Sequence, residues 1–169
     1  MEGTPVVTEA LEAIIEENEQ ARAELLDALD ALPADRRVEG WFGPEAWSAK
    51  DILAHIARWQ SGWAHALGLV ASGERPAIPE FEPNRDDPDA ADNAFNAESV
   101  ARSGDLSWEQ VLANLRDARE QHNEAIRGLA VLDADRYAEG RTPHRLAAVG
   151  GHDREHAEAI LAWRGEQGV

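Results

Sequence analysis

Residues 47–59, WSAKDILAHIARW, and residues 151–164, GHDREHAEAILAWR, decide how this chain folds. Each spaces apolar residues at steps of three and four, the repeat of a helix with one buried face. Each also sets histidine on that face. Ile52, His55, Ile56 and Trp59 share one stripe; Val149, His152, His156, Ile160 and Trp163 share the other. Three ionisable rings at one level of a helical bundle are costly to bury unless something organises them, and a bound metal is the usual reason.

Outward from these stretches, Ser48 reads as a helix start. Its hydroxyl can accept from a first-turn amide, Asp51 suits the positive end of the helix dipole, and Trp47 with Ile52 brackets it as a hydrophobic staple. The helix it opens runs to about Ala71 and carries Trp63 and Leu67 on the same broad face. Upstream, Thr4-Pro5 is a cap-plus-proline start for a first helix. There Leu11, Ile14, Ile15, Leu25, Leu29 and Leu32 repeat at helical steps until Pro33. Residues 34–47, with Gly40, Gly43 and Pro44, read as an ordered connection anchored by Trp41, Phe42 and Trp47.

Downstream, residues 73–88 (GERPAIPEFEPNRDDP) are proline-rich and acidic and form a long excursion. It is either a lid or a plain solvated loop. A short helix is expected over residues 90–102. Ser107 and Gln110 form a capping box, stapled by Leu106 and Val111, and open a helix through Leu112, Leu115 and Ile126 to about Leu129. Thr142-Pro143 starts the last helix, which runs to about Trp163. Gly150-Gly151 interrupts it, as a kink or false start, or as a close approach of two helices. No strand pattern or internal repeat stands out. The expected fold is all-α: an antiparallel four-helix bundle with one additional short helix and a long loop after the second helix.

Composition bounds the function. The 169 residues suit a single domain, 1–169, and 43% hydrophobic content excludes a disordered class. No apolar run approaches the ~20 residues that span a bilayer. The acidic N-terminus lacks a secretory layout, so cytoplasmic residence is the expectation. With no cysteine there is no thiolate nucleophile, thiolate metal site or disulfide. The net charge of −17 argues against nucleic acid and anionic membrane as partners. A GC-rich genome accounts for that charge more simply than a salt-rich cytoplasm.

His152 and His156, four residues apart, project from one helical face. With His55 they could supply three imidazoles to a divalent transition metal, zinc or nickel, leaving positions open as in a catalytic site. The competing reading is three hydrogen-bonded core or cleft histidines.

Three stretches carry a family resemblance: WSAKDILAHIARW at 47–59, FNAESVARSGDLSWEQVLANLRDA at 95–118 and HDREHAEAILAW at 152–163. On these the chain resembles the DinB-like superfamily of bacterial four-helix-bundle proteins. In that family a tryptophan-initiated second helix gives one histidine and the last long helix gives two more, so the resemblance implies His55, His152 and His156 as a metal triad. Some relatives resemble thiol-dependent S-transferases, including mycothiol-dependent maleylpyruvate isomerase and bacillithiol-using enzymes. They imply a low-molecular-weight thiol cosubstrate, a small-molecule electrophile, and a detoxification or stress-protection role. Another branch resembles colibactin self-resistance proteins and implies a metal-free hydrolase. A homodimer is also implied. Outside that family logic stands a non-catalytic protein that binds or sequesters a small apolar molecule.

The remaining candidates have plainer readings. His65 and His122 are expected at the surface, and His144 is an optional extra pocket residue. Trp59, Trp63, Trp108 and Trp163 are expected in helix packing, with Trp59 or Trp63 alternatively walling a substrate pocket. Asp153 and Glu155 are outer-shell or general-base candidates, but charged residues flanking inward positions are expected to face solvent.

Overall fold

The computed structural model describes the backbone from residue 4 and the side chains from residue 8 to 169. Among the described residues seven helices follow one another: α1 Thr4–Leu29, α2 Ala49–Ala71, α3 Pro88–Ser103, α4 Trp108–Gly128, α5 Ala134–Tyr137, α6 Thr142–Ala147 and α7 Gly150–Gln167. A 3₁₀ turn, Leu129–Val131, follows α4. The described residues contain no strand, only an isolated bridge between Phe42 and Trp47. The long helices α1, α2, α4 and α7 make the bundle and α3 leans on α2. No described helix is long and apolar enough to cross a membrane.

Local chemistry sets the boundaries. Ser48 Oγ accepts from the Asp51 amide at 3.2 Å while Asp51 Oδ2 accepts from the Ser48 amide at 2.9 Å. Ser107 and Gln110 repeat the exchange ahead of α4. Asp87 caps α3, with Pro88 in its first turn. The cap expected at Thr4-Pro5 lies outside the described side chains. The Gly150-Gly151 interruption is both a break and a close approach. One short helix ends at Ala147 and another starts at Gly150, where a Cβ would lie 3.1 Å from Ala21 Cβ on α1. Buried Asn18 spans the break, donating to the Ala147 carbonyl and accepting from the Val149 amide.

Side-chain contacts fix the helix directions. Arg22 meets Asp153 and Arg164 meets the Ala28 carbonyl, so α1 and α7 run parallel. Lys50 reaches the Leu106 carbonyl and Trp63 lies beside His122, so α2 and α4 are also parallel. Arg22 donates to the Leu115 carbonyl and Arg127 pairs with Glu12, which sets α1 and α4 antiparallel. Trp63 against His152 and His55 against His156 do the same for α2 and α7. The all-α bundle is therefore up-down-down-up. Its antiparallel contacts run between α1 and α4 and between α2 and α7, while its two most extensive pairings are parallel. The long crossover at 72–107 causes this, because it returns the chain to the level where α2 began.

The interior is layered. One apolar cluster gathers Leu25, Ile52, Ile56, Val111, Leu115, Ile160 and Trp163. A second gathers Leu11, Ile15, Leu67, Val70, Ile126 and Leu129. Each long helix also buries polar residues near mid-height: Asn18 and Arg22 on α1, Gln60 on α2, Arg119 and His122 on α4, and Asp153 on α7. Asp153 Oδ2 accepts from Arg22 Nε at 2.9 Å and from Arg119 Nη2 at 2.6 Å. Arg22 Nη2 donates to Gln60 Oε1 at 2.7 Å. This mid-height polar layer lies at the level of the histidines.

Candidate metal centre

Helix α2 delivers His55, and α7 delivers His152 and His156 one turn apart. Their Nε2 atoms converge: His55 to His152 at 3.0 Å and His156 to His152 at 3.3 Å. One ligand atom from each ring falls within 4.8 Å of the others. His55 and His156 are buried, and His152 is half-buried. Aromatic rings surround the trio: Trp47 5.1 Å from His55, Phe42 5.6 Å from His156 and Trp63 5.5 Å from His152, centroid to centroid. The Phe42–Trp47 bridge, placed by the connection after α1, brings two of these rings to the site.

Burial pushes the rings toward the neutral state. His55 is lowered to about 3 by burial and then by its two histidine neighbours, against the bond to Asn96. His156 is lowered to about 4 by burial and then His152. Burial lowers His152 also, opposed by Asp153. Neutral imidazole is the form that ligates a cation.

The hydrogen-bond count tests whether these residues fit a metal. Asn96 Oδ1 accepts from Trp59 Nε1 at 2.7 Å and lies 3.0 Å from His55 Nδ1, so Nδ1 carries the His55 proton and Nε2 presents a lone pair. With one proton at most on His152 Nε2, its two short contacts cannot both be well-formed N–H···N bonds. The Nδ1 atoms of His152 and His156 are buried without a partner among the described residues. A cation about 2.1 Å from each of three tetrahedrally arranged nitrogens holds them about 3.4 Å apart, close to the 3.0 and 3.3 Å that separate His152 from His55 and from His156. The donor set fits a divalent transition metal.

The other expected site residues fall elsewhere. His65 and Glu155 are exposed as expected. His144 is half-buried beside Ala13, Ile14 and Asn18, in a groove between α1 and α6. His122 corrects the surface expectation. It is fully buried and donates from Nε2 to the Leu146 carbonyl at 2.8 Å, because steps of four and three from Leu115 put it on the inward face of α4. Asp153 corrects the solvent expectation likewise: it is fully buried and pairs with both Arg22 and Arg119. Trp163 is buried, while Trp59, Trp63 and Trp108 are half-buried. The acidic excursion is strapped down, with Glu80 on Arg58 and Arg102 and Phe81 on Trp59 and Phe95. Among the described residues no hydrogen bond or ring contact joins it to the three histidines.

Sequence reasoning missed Asn96, Phe42 and Trp47 as neighbours of the site. Only the one-turn step from Phe95 to Ser99, both buried against α2, hinted at the inward face of α3.

Neither a curated protein nor a solved structure matches the chain. A family model described as the DinB superfamily matches residues 17–160, reaching into all four long helices and spanning His55, His152 and His156. The chain belongs to the DinB superfamily.

Proposed function

We propose that His55, His152 and His156 hold one divalent transition metal, zinc or nickel, and that the protein uses it to join a low-molecular-weight thiol to a small electrophile. The observation that carries this reading is the convergence of one ring nitrogen from each of three histidines within 4.8 Å inside an aromatic surround. Three protein ligands leave a coordination position open, and a bound Lewis acid lowers the pKa of a thiol or water placed there.

The chain's own residues do the remainder. The imidazoles stay unprotonated near neutral pH because burial disfavours their charged forms. Phe42, Trp47 and Trp63 exclude water and offer apolar walls to a substrate, which favours an uncharged or aromatic electrophile. Among the described residues no acid or hydroxyl side chain bonds to the triad, and the chain has no cysteine, so the nucleophile comes with the cosubstrate. Detoxification or stress protection is the role that follows, with assembly as a homodimer.

The test is elemental analysis of tag-free protein with a turnover assay following thiol consumption by chlorodinitrobenzene. One equivalent of metal is expected in the wild type and far less in His55→Ala, His152→Ala and His156→Ala. Turnover should vanish on chelation and return with zinc or nickel. Turnover that survives exhaustive chelation would instead favour a metal-free hydrolase-type branch. Tight binding of an apolar ligand that ignores His55→Ala would favour a sequestering protein.

A further inference from the structure

Helix α3 contributes one atom that sorts the protons of the site. Trp59 Nε1 is a donor only, and it lies 2.7 Å from Asn96 Oδ1. The amide of Asn96 is therefore turned with its oxygen toward α2. His55 Nδ1 lies 3.0 Å from that same oxygen and must carry the hydrogen. A neutral imidazole has one N–H, so Nε2 is left as a lone pair facing His152. Were the amide reversed, its NH₂ would face the indole N–H and would call for the opposite tautomer of His55.

The placement of Asn96 is itself held from several sides. Phe95, the preceding residue, packs on Trp59 at 4.7 Å and lies under the Arg58 guanidinium at 4.2 Å. Glu98 pairs with Arg58, and Glu80 of the crossover ties Arg58 to Arg102. Neither His152 Nδ1 nor His156 Nδ1 has a comparable acceptor among the described residues. His55 is thus the one imidazole whose ligating atom is set in advance.

We propose that Asn96, oriented by Trp59, is a positioning residue that locks His55 in the Nδ1–H tautomer and so presets its Nε2 for metal. This rests on the metal reading above for its purpose, although the tautomer itself does not. Outer-shell partners of metal-bound histidine typically change affinity 10- to 100-fold when removed.

Two measurements test it. Nitrogen-15 NMR of the metal-free protein reads the His55 tautomer, and competition with a chromophoric chelator reads zinc affinity. The wild type should show the Nδ1–H tautomer. Asn96→Leu should give a tautomer mixture and bind zinc about 10- to 100-fold more weakly. Trp59→Phe removes the group that orients the amide and should give a smaller loss with the same mixing. Adding Asn96→Asp to Trp59→Phe should restore the single tautomer, because both carboxylate oxygens accept and no reversed orientation exists. A purely structural role for Asn96 predicts no such rescue.

An Nε2–H tautomer in the wild type, or a Trp59→Phe/Asn96→Asp protein as mixed as Trp59→Phe alone, overturns the proposal. If the wild type binds no zinc, the metal reading fails, and the NMR result still decides the role of Asn96.

Discussion

Replacing Asp153 with asparagine removes one charge and almost no volume from the centre of the bundle. The side chains of Asp153, Arg22 and Arg119 are 1%, 6% and 4% exposed. After Asp153→Asn two guanidiniums remain buried with no counter-charge in the layer. Breaking a buried ion pair from one side costs about 3–5 kcal/mol. The amide oxygen can keep one hydrogen bond, so a loss of about 3 kcal/mol is expected, against the 5–15 kcal/mol typical of a whole domain. With a urea slope of about 1–3 kcal/mol/M, the midpoint should fall by roughly 1 M or more. Asp117→Asn is the control. That carboxylate is 58% exposed beside Arg116 at 68%, and its loss should change stability by less than about 0.5 kcal/mol. Arg22→Met, Arg119→Met and Asp153→Leu together should recover much of the deficit, because no buried charge is then left unpaired. Urea titrations followed by circular dichroism supply the numbers. An Asp153→Asn protein within about 1 kcal/mol of the wild type would refute the account of the polar layer.

Three further outcomes are expected. Burial lowers His122 to about 4, below its unfolded value near 6.5, so its contribution is complete above pH 6.5 and is lost as pH falls toward 4. Stability in that window should drop by up to about 1.4 kcal/mol per pH unit for this ring, and urea midpoints of His122→Gln should fall less steeply; equal slopes would contradict its neutral burial. Gly62→Ala puts a Cβ 2.6 Å from Ile78 Cγ2 and should cost about 1 kcal/mol in thermal melts, whereas Gly68→Ala meets nothing and should gain up to about 1 kcal/mol. Ser107→Ala removes the hydroxyl that accepts from the Gln110 amide and should cost about 1 kcal/mol, read by the same melts.

What the sequence made legible were the features written in local chemistry. Ser48 and Ser107 announce their helices because a cap and its partner lie three residues apart, so no tertiary knowledge is needed. The three histidines stood out because their spacing alone places them on apolar faces. Helix direction was less legible, since it depends on where a 36-residue crossover at 72–107 delivers the chain, and no residue in it encodes that. The polar layer was hidden for a different reason. In α1 the apolar stripe passes from Ile15 to Leu25, and the turns between hold Asn18 and Arg22 at the same helical steps. Polar residues on an inward stripe look like a gap until partners on three other helices are known. His122 was misplaced by its polar neighbours Gln121 and Asn123, although its step of seven from Leu115 already pointed inward. Asn96 lay beyond reach because its importance is a hydrogen bond across 41 positions of sequence.

The polar layer and the histidine site share one geometric cause. Asp153 follows His152 directly, so on α7 the two side chains point about 100° apart. One direction faces the bundle axis, where Arg22 from α1 and Arg119 from α4 close on the carboxylate. The other faces α2 and carries His152 to within 3.0 Å of His55. Rotating α7 by a single residue would take Asp153 out of the layer and leave two guanidiniums buried alone, at a cost of several kcal/mol. A buried ion pair contributes little net stability, but the penalty for misplacing one partner is large and directional. That penalty selects the rotation of α7 at which His152 and His156 meet His55. Mutations at Arg119, which bonds Asp153 and none of the three histidines, should therefore loosen the triad without touching it.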